Sequence, residues 1–156
     1  MPVVTGETKS TKEEFLDIFE RQAAQIINPE LCLCGGILGT LEVAAMAEPH
    51  GIMVSPHNYN GTVIATAAAL HICAVASNFL IIEYFLNIKP ACDAIMKGEL
   101  VLDNGFFELP TAPGLGIDID KEELLRHPYK EMPREFPIKG VANYDWEGPR
   151  KEDYVK

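Results

Sequence analysis

Basic residues are scarce in this chain. It has 156 residues, with 13 Lys and Arg against 23 Asp and Glu, a formal charge of -10 and a pI near 4.8. A surface of that sign repels phosphate backbones and anionic membranes, so no nucleic-acid or membrane-surface partner is expected. Cysteine is sparse too: Cys32, Cys34, Cys73 and Cys92 are the only four, too few for a disulfide-stapled miniprotein. The opening MPVVTGETKSTKEEF has no basic segment followed by an apolar one, so the thiols are expected reduced in the cytoplasm. One long uncharged run exists, residues 62–82, but alanine dominates it, His71 interrupts it and Ser77-Asn78 punctuates it. A buried helix over 62–76 followed by a short strand is expected there, not a membrane span. What remains, 47% hydrophobic and 23% charged, is the composition of one globular domain with a real core.

The order of segments is regular. Val3-Val4 is a short apolar run, and Ser10 with Glu13 has capping-box spacing before a helix carrying Phe15, Leu16, Ile18 and Phe19 to about Gln22. Ile26-Ile27 is a second strand. A helix over 37–46 stops at Pro49-His50-Gly51, and 52–54 is a third strand. The Ala-rich helix and a fourth strand, 79–82, complete the series. Short apolar strands alternating with helices indicate parallel βα units, here about four, forming a partial (β/α) TIM-type barrel. The pattern changes after residue 86, and the expected division is 1–86 as barrel half and 87–156 as loop, short helix and extended arm. The short helix spans 120–126, with Asp120 as N-cap and Glu122 and Glu123 at its positive end. The arm, rich in Pro, carries Tyr144 and Trp146 as packing anchors.

Glu7, Glu30, His57 and Glu83 each follow a strand, separated by 23, 27 and 26 residues. Any one of these carboxylates alone reads as a solvated loop residue. Strand ends in a (β/α) barrel all point to one mouth, however, and four titratable groups at the same place in successive units suit a divalent cation with acid/base chemistry. Other polar positions carry less. Cys32 and Cys34 share a side of any extended segment, as a soft-metal pair does, yet two small buried hydrophobes are the favoured reading. His71 is expected as a satisfied boundary histidine, His50 and His127 as surface residues. Gly35-Gly36 is expected as tight loop geometry in preference to an anion cradle.

The strings PVVTGE, INPE…CGGI, MAEPHGIMVSPHN, ALH…NFLIIEYF and PTAPGLGIDID resemble, in order and spacing, the C-terminal half of the mandelate racemase/muconate lactonising enzyme group of the enolase superfamily. SPHN and IEYF are most similar to its mandelate racemase-like branch, which includes acid-sugar dehydratases. The resemblance implies a (β/α)7β barrel joined to an α+β capping domain. It also implies Mg²⁺-dependent removal of the proton α to a carboxylate in a hydroxy or sugar acid, the chemistry attached to this superfamily as a whole. Such a proton is very weakly acidic, so the resulting dianion must meet concentrated positive charge.

By the same resemblance, Glu7 in TGE is the last of three carboxylate metal ligands, and His57 in SPHN is the acid/base histidine. Glu83 in IEYF binds a substrate carboxylate oxygen as a neutral donor. Glu30 stands where the family has the aspartate that orients the histidine. Glutamate is one methylene longer, so the dyad either survives with a shifted backbone or leaves His57 misdirected. Two further metal ligands, the opposing lysine, four strands and the capping domain would precede Met1, so a fragment, a truncated product or half of a split enzyme is expected, weak in Mg²⁺ binding. The alternative is a catalytically inactive fragment that acts only by associating with itself or with a full-length relative. Its open parallel edges predict a homo-oligomer. Racemisation and cycloisomerisation share the first half-reaction and stay open beside dehydration.

Overall fold

The structure is a computed structural model that describes residues 1–59 and 61–128. Three short strands, β1 (Val4–Thr5), β2 (Ile26–Ile27) and β3 (Met53–Val54), form a parallel sheet in that order. The register pairs Val4 with Ile26 and Ile26 with Met53, so each strand begins level with its neighbour. The expected fourth strand contributes a single parallel bridge, Val54 to Phe79, in place of a ladder. The backbone nevertheless runs beside β3, with Val54 N–H donating to Asn78 O (2.8 Å) and Leu80 N–H to Val54 O (2.9 Å).

Helix α1 (Lys12–Glu20) follows β1, α2 (Gly36–Ala47) follows β2 and α3 (Val63–Val75) follows β3, as βα alternation requires. The start of α1 lies one residue later than Ser10-Glu13 spacing predicts. Thr11 is the extended N-cap, its hydroxyl accepting from Glu14 N–H, while the Glu14 carboxylate accepts from the Thr11 and Ser10 N–H groups at 3.2 and 2.8 Å. Both Ser10-x-x-Glu13 and Thr11-x-x-Glu14 fit the motif; the second is the one formed, and Phe15, Ile18 and Phe19 are the buried face of the helix. These three join Ile27, Val43, Ala44 and Val54 in the main core between α1, α2 and the sheet. Helix α3 is buried nearly all round: Ala67 and Leu70 face one cluster with Met96 and Leu100, and Ala68 and Ile72 another with Leu31. No helix among the described residues is long and apolar enough to cross a membrane.

Asn78, which the sequence marks only as a turn, closes the end of this layer. Its side-chain amide is buried and donates to Ala44 O in α2 (3.0 Å) and Ile52 O ahead of β3 (2.9 Å). Ile52 O thereby gains a donor away from water, and Ala44 O, which already accepts from Glu48 N–H, gains a second.

The stretch after residue 86 is more regular than the expected loop. A 3₁₀ turn (Leu86–Ile88) leads into α4 (Lys89–Ala94). Strand β4 (Met96–Lys97) pairs antiparallel with β7 (Asp118–Ile119), and β5 (Leu102–Asp103) with β6 (Phe106–Phe107). Asn104 and Gly105, both at positive φ (48° and 84°), join the second pair. Asn-Gly is the residue pair that this two-residue turn demands.

The chain divides after Asp120 into two compact units. In the second, α5 (Lys121–Leu125) is the expected short acidic helix, with Glu123 bonded to both Arg126 (2.7 Å) and His127 (3.2 Å). The expected extended arm, with Tyr144 and Trp146, lies outside the described residues.

Candidate active site

The three strand ends and the segment beside β3 carry Glu7, Glu30, His57 and Glu83 to one place. All three carboxylates lie within 3.5 Å of the His57 imidazole. A backbone bridge between Glu30 and His57 continues the β2–β3 pairing past the sheet, with His57 N–H donating to Pro29 O at 3.1 Å. Ring and carboxylate therefore start from a fixed backbone separation.

Glu30 reaches the ring. Its Oε2 is 2.8 Å from His57 Nδ1 while its Oε1 accepts from Cys32 N–H at 2.9 Å. The extra methylene thus fits by letting the carboxylate turn back on the loop that follows it. With Nδ1–H donating to Glu30, the tautomer is set and Nε2 is the nitrogen left open. Nε2 faces Glu7 Oε2 and Glu83 Oε2, each at 3.5 Å. Burial differs around the ring: Glu30 and His57 side chains are 16% and 18% exposed, Glu83 and Glu7 45% and 55%. The arrangement can hold an imidazole in one orientation and move a proton at Nε2, on the open side of the cluster.

Sequence reasoning did not single out Asn58 and Thr66. Asn58 N–H donates to Glu83 Oε2 (3.0 Å), and its side-chain amide donates to Thr66 Oγ1 (3.1 Å) and Glu83 O (3.3 Å). The available signal was the Thr66 hydroxyl inside the otherwise apolar stretch 63–70, eight residues after the amide in SPHN. Tyr59 and Phe85 stack beside the cluster with ring centroids 4.7 Å apart.

The remaining candidates stay apart from it. Cys34 is buried and contacts Thr40 Oγ1 at 3.2 Å, whereas Cys32 is exposed, so the pair does not share a side. Burial is the main cause raising each of the four thiols, and it pushes Cys73 up to about 12. His71 is a boundary residue with Nε2 3.2 Å from Leu115 O. His50 is exposed against the Phe19 ring.

Magnesium demands near-octahedral oxygen coordination and several converging ligands. Among the described residues no group of three or more His, Cys, Asp or Glu side chains is arranged to hold a metal ion. Glu7 offers one half-exposed carboxylate, so these residues by themselves do not fit a Mg²⁺ site.

A parallel sheet whose strand ends gather ionisable groups at one rim is the arrangement of a TIM-barrel-type α/β fold. The chain belongs to the enolase C-terminal domain-like family, which matches residues 1–124. It is 32% identical over 155 residues to a D-galactonate dehydratase of Ralstonia pickettii, covering 96% of this chain and 37% of that protein. The chain therefore spans little more than a third of the curated relative's length. Among solved structures, it is similar to a mandelate racemase/muconate lactonizing enzyme-like protein of Rubrobacter xylanophilus (30% identity, TM-score 0.77, 85% of this chain and 34% of that one). An enolase of Agrobacterium radiobacter, bound to sodium and L-malate, is similar at 26% identity and TM-score 0.76, over 87% and 38% of the two chains.

Proposed function

We propose that this chain carries the histidine side of an active site that removes the proton α to the carboxylate of a hydroxy or sugar acid and completes a dehydration. The observation that supports it is the Glu30–His57 pair at 2.8 Å with Nε2 open toward Glu7 and Glu83. His57 is the catalytic acid/base: Nε2 accepts the α-proton or delivers a proton to the departing β-hydroxyl. Loss of both as water leaves an enol that becomes a 2-keto-3-deoxy acid. Glu30 positions the ring, and Glu83 binds a substrate carboxylate oxygen through its second, outward oxygen.

Glu7 is the chain's contribution to a divalent-cation site, Mg²⁺ by family habit, whose other ligands the described residues do not supply. The name of the R. pickettii relative favours an aldonic acid substrate. The four free cysteines support a cytoplasmic setting. Four βα units in a partial barrel account for the sheet, the β3 bridge and the β1 edge, where Val3 and Val4 are 48% and 53% exposed. That edge supports self-association or pairing with further chain.

The 37% coverage supports a second reading, in which the chain is inactive by itself and acts only by association. One experiment separates them. The chain is incubated with D-galactonate and related acids plus Mg²⁺, alone and mixed with the portion of the R. pickettii relative that it does not match. Keto acid is trapped with semicarbazide. Product that disappears by about 10²–10⁴-fold in His57→Asn supports the catalytic reading. Product in neither mixture ends it.

A further inference from the structure

Asn58 is 3% exposed, and asparagine at that depth must find partners for its amide or lose them to no one. Its side-chain nitrogen spends both protons, one on Thr66 Oγ1 at 3.1 Å and one on the Glu83 carbonyl at 3.3 Å. Thr66, itself buried, passes its hydroxyl proton to Thr62 O at 3.4 Å. Asn58 also gives its backbone N–H to Glu83 Oε2 at 3.0 Å, and Glu83 N–H returns to Pro56 O at 3.4 Å. One residue, adjacent in sequence to His57, thus grips both the backbone and the carboxylate of Glu83 and anchors them to α3. Space is reserved for it. A Cβ on Gly61 would come within 2.7 Å of Asn58 Oδ1 and 2.8 Å of Ala65 Cβ, so any larger residue there pushes the amide out of place.

We infer that Asn58 is a positioning residue that fixes Glu83 relative to His57, with Thr66 as its anchor on α3. This rests on the reading that His57 and Glu83 meet the substrate. Without the Asn58 side chain, Glu83 O loses its donor, and the residue 58 backbone N–H that holds Glu83 Oε2 is no longer tied to Thr66 on α3. The Glu83 carboxylate, 45% exposed, is then held near Nε2 only through a backbone N–H whose own position is looser.

The test compares amide hydrogen exchange at fixed pH in the whole chain and in Asn58→Asp, Thr66→Val and Thr66→Ser. Asn58→Asp keeps the shape and removes both side-chain donors. Thr66→Val removes only the acceptor on α3, and Thr66→Ser keeps it. Exchange at Glu83 N–H is expected to quicken by about tenfold in Asn58→Asp, the factor attached to one ordinary buried hydrogen bond. A smaller change is expected in Thr66→Val and none in Thr66→Ser. Asn28 N–H, bonded to Thr5 O inside the sheet, is the reference and should keep its protection. Unchanged protection at Glu83, or equal loss at Glu83 and Asn28, overturns the proposal. If Asn58→Asp does not fold, Thr66→Val decides by the same criterion. Kinetics supply the second readout: misplacing Glu83 raises KM for the acid as well as lowering kcat, whereas a merely structural defect lowers the active fraction and leaves KM where it was. A wild-type chain without turnover ends the functional reading and leaves the exchange comparison to decide this one.

Discussion

Glu30 and Glu7 approach the same imidazole from neighbouring strands and end in opposite conditions. Glu30 is 16% exposed, with one oxygen on His57 Nδ1 and the other on Cys32 N–H. Glu7 is 55% exposed and has one long contact, 3.5 Å, to Nε2. The first carboxylate has both oxygens engaged by neighbouring groups, and the second reaches only the His57 ring. Under the proposed function, Glu30 is complete within the described residues, and Glu7 is the carboxylate that would need further ligands to hold a cation. Orientation needs only local backbone partners, whereas concentrating positive charge needs several converging ligands.

The largest expected effect that sharpens this contrast comes from shortening the orienting carboxylate. Glu30→Asp restores the residue type expected at this place but withdraws the carboxylate by one C–C bond, about 1.5 Å. Because Glu30 now spans both Cys32 N–H and His57 Nδ1, aspartate can keep one bond and not both. Keto-acid formation should fall by about 10²-fold with the far-ultraviolet circular dichroism unchanged. An aspartate variant as active as the parent would show that Glu30 is not fitted by its length.

A second, smaller difference concerns stability. Glu30→Gln leaves an amide N–H₂ or a single carbonyl facing two donors, Cys32 N–H and His57 Nδ1–H, in a partly buried place. That mismatch should cost about 1–3 kcal/mol in urea unfolding. Glu7→Gln removes a half-exposed charge with no hydrogen bond, and its unfolding midpoint should stay within about 0.5 kcal/mol of the parent. Equal costs at the two positions would erase the distinction between them.

How much of this was legible beforehand follows from the range of each interaction. The βα order, the bounds of α2 and α3 and the shared rim of Glu7, Glu30, His57 and Glu83 are written in apolar periodicity and strand-end spacing, which are local in sequence. The N-cap lies one residue later because Ser10 and Thr11 both satisfy the motif, and the motif alone does not choose between them. The fourth strand shrank to a bridge because pairing depends on a partner, and periodicity says nothing about partners. Asn58 was passed over because its meaning lies in Thr66 and Glu83, eight and 25 residues away. The β5–β6 turn is local, in Asn104-Gly105 within the turn-rich 98–107 stretch, whereas its two-residue strands are too short to show alternation.

The smallest expected effect asks whether bonding or burial makes Glu30 unlike Glu7. Glu14 separates the two, because its carboxylate is bonded to two backbone N–H groups yet lies at the surface of α1. Those N–H groups, Ser10 first and Thr11 next, hold its pKa below the ordinary carboxylate value of 4.5. The unfolded chain thus binds this proton more readily than the folded one. The cap's contribution is complete above the unfolded value, shrinks as the pH falls below about 4.5 toward the depressed folded value, and is gone beneath it. Thermal melts of the parent and Glu14→Gln should accordingly differ slightly at neutral pH and converge in acid, with the parent the more stable where they differ. A gap that persists unchanged at low pH would mean that the ionised cap contributes nothing. Bonding alone would then not be what sets the buried carboxylate beside His57 apart.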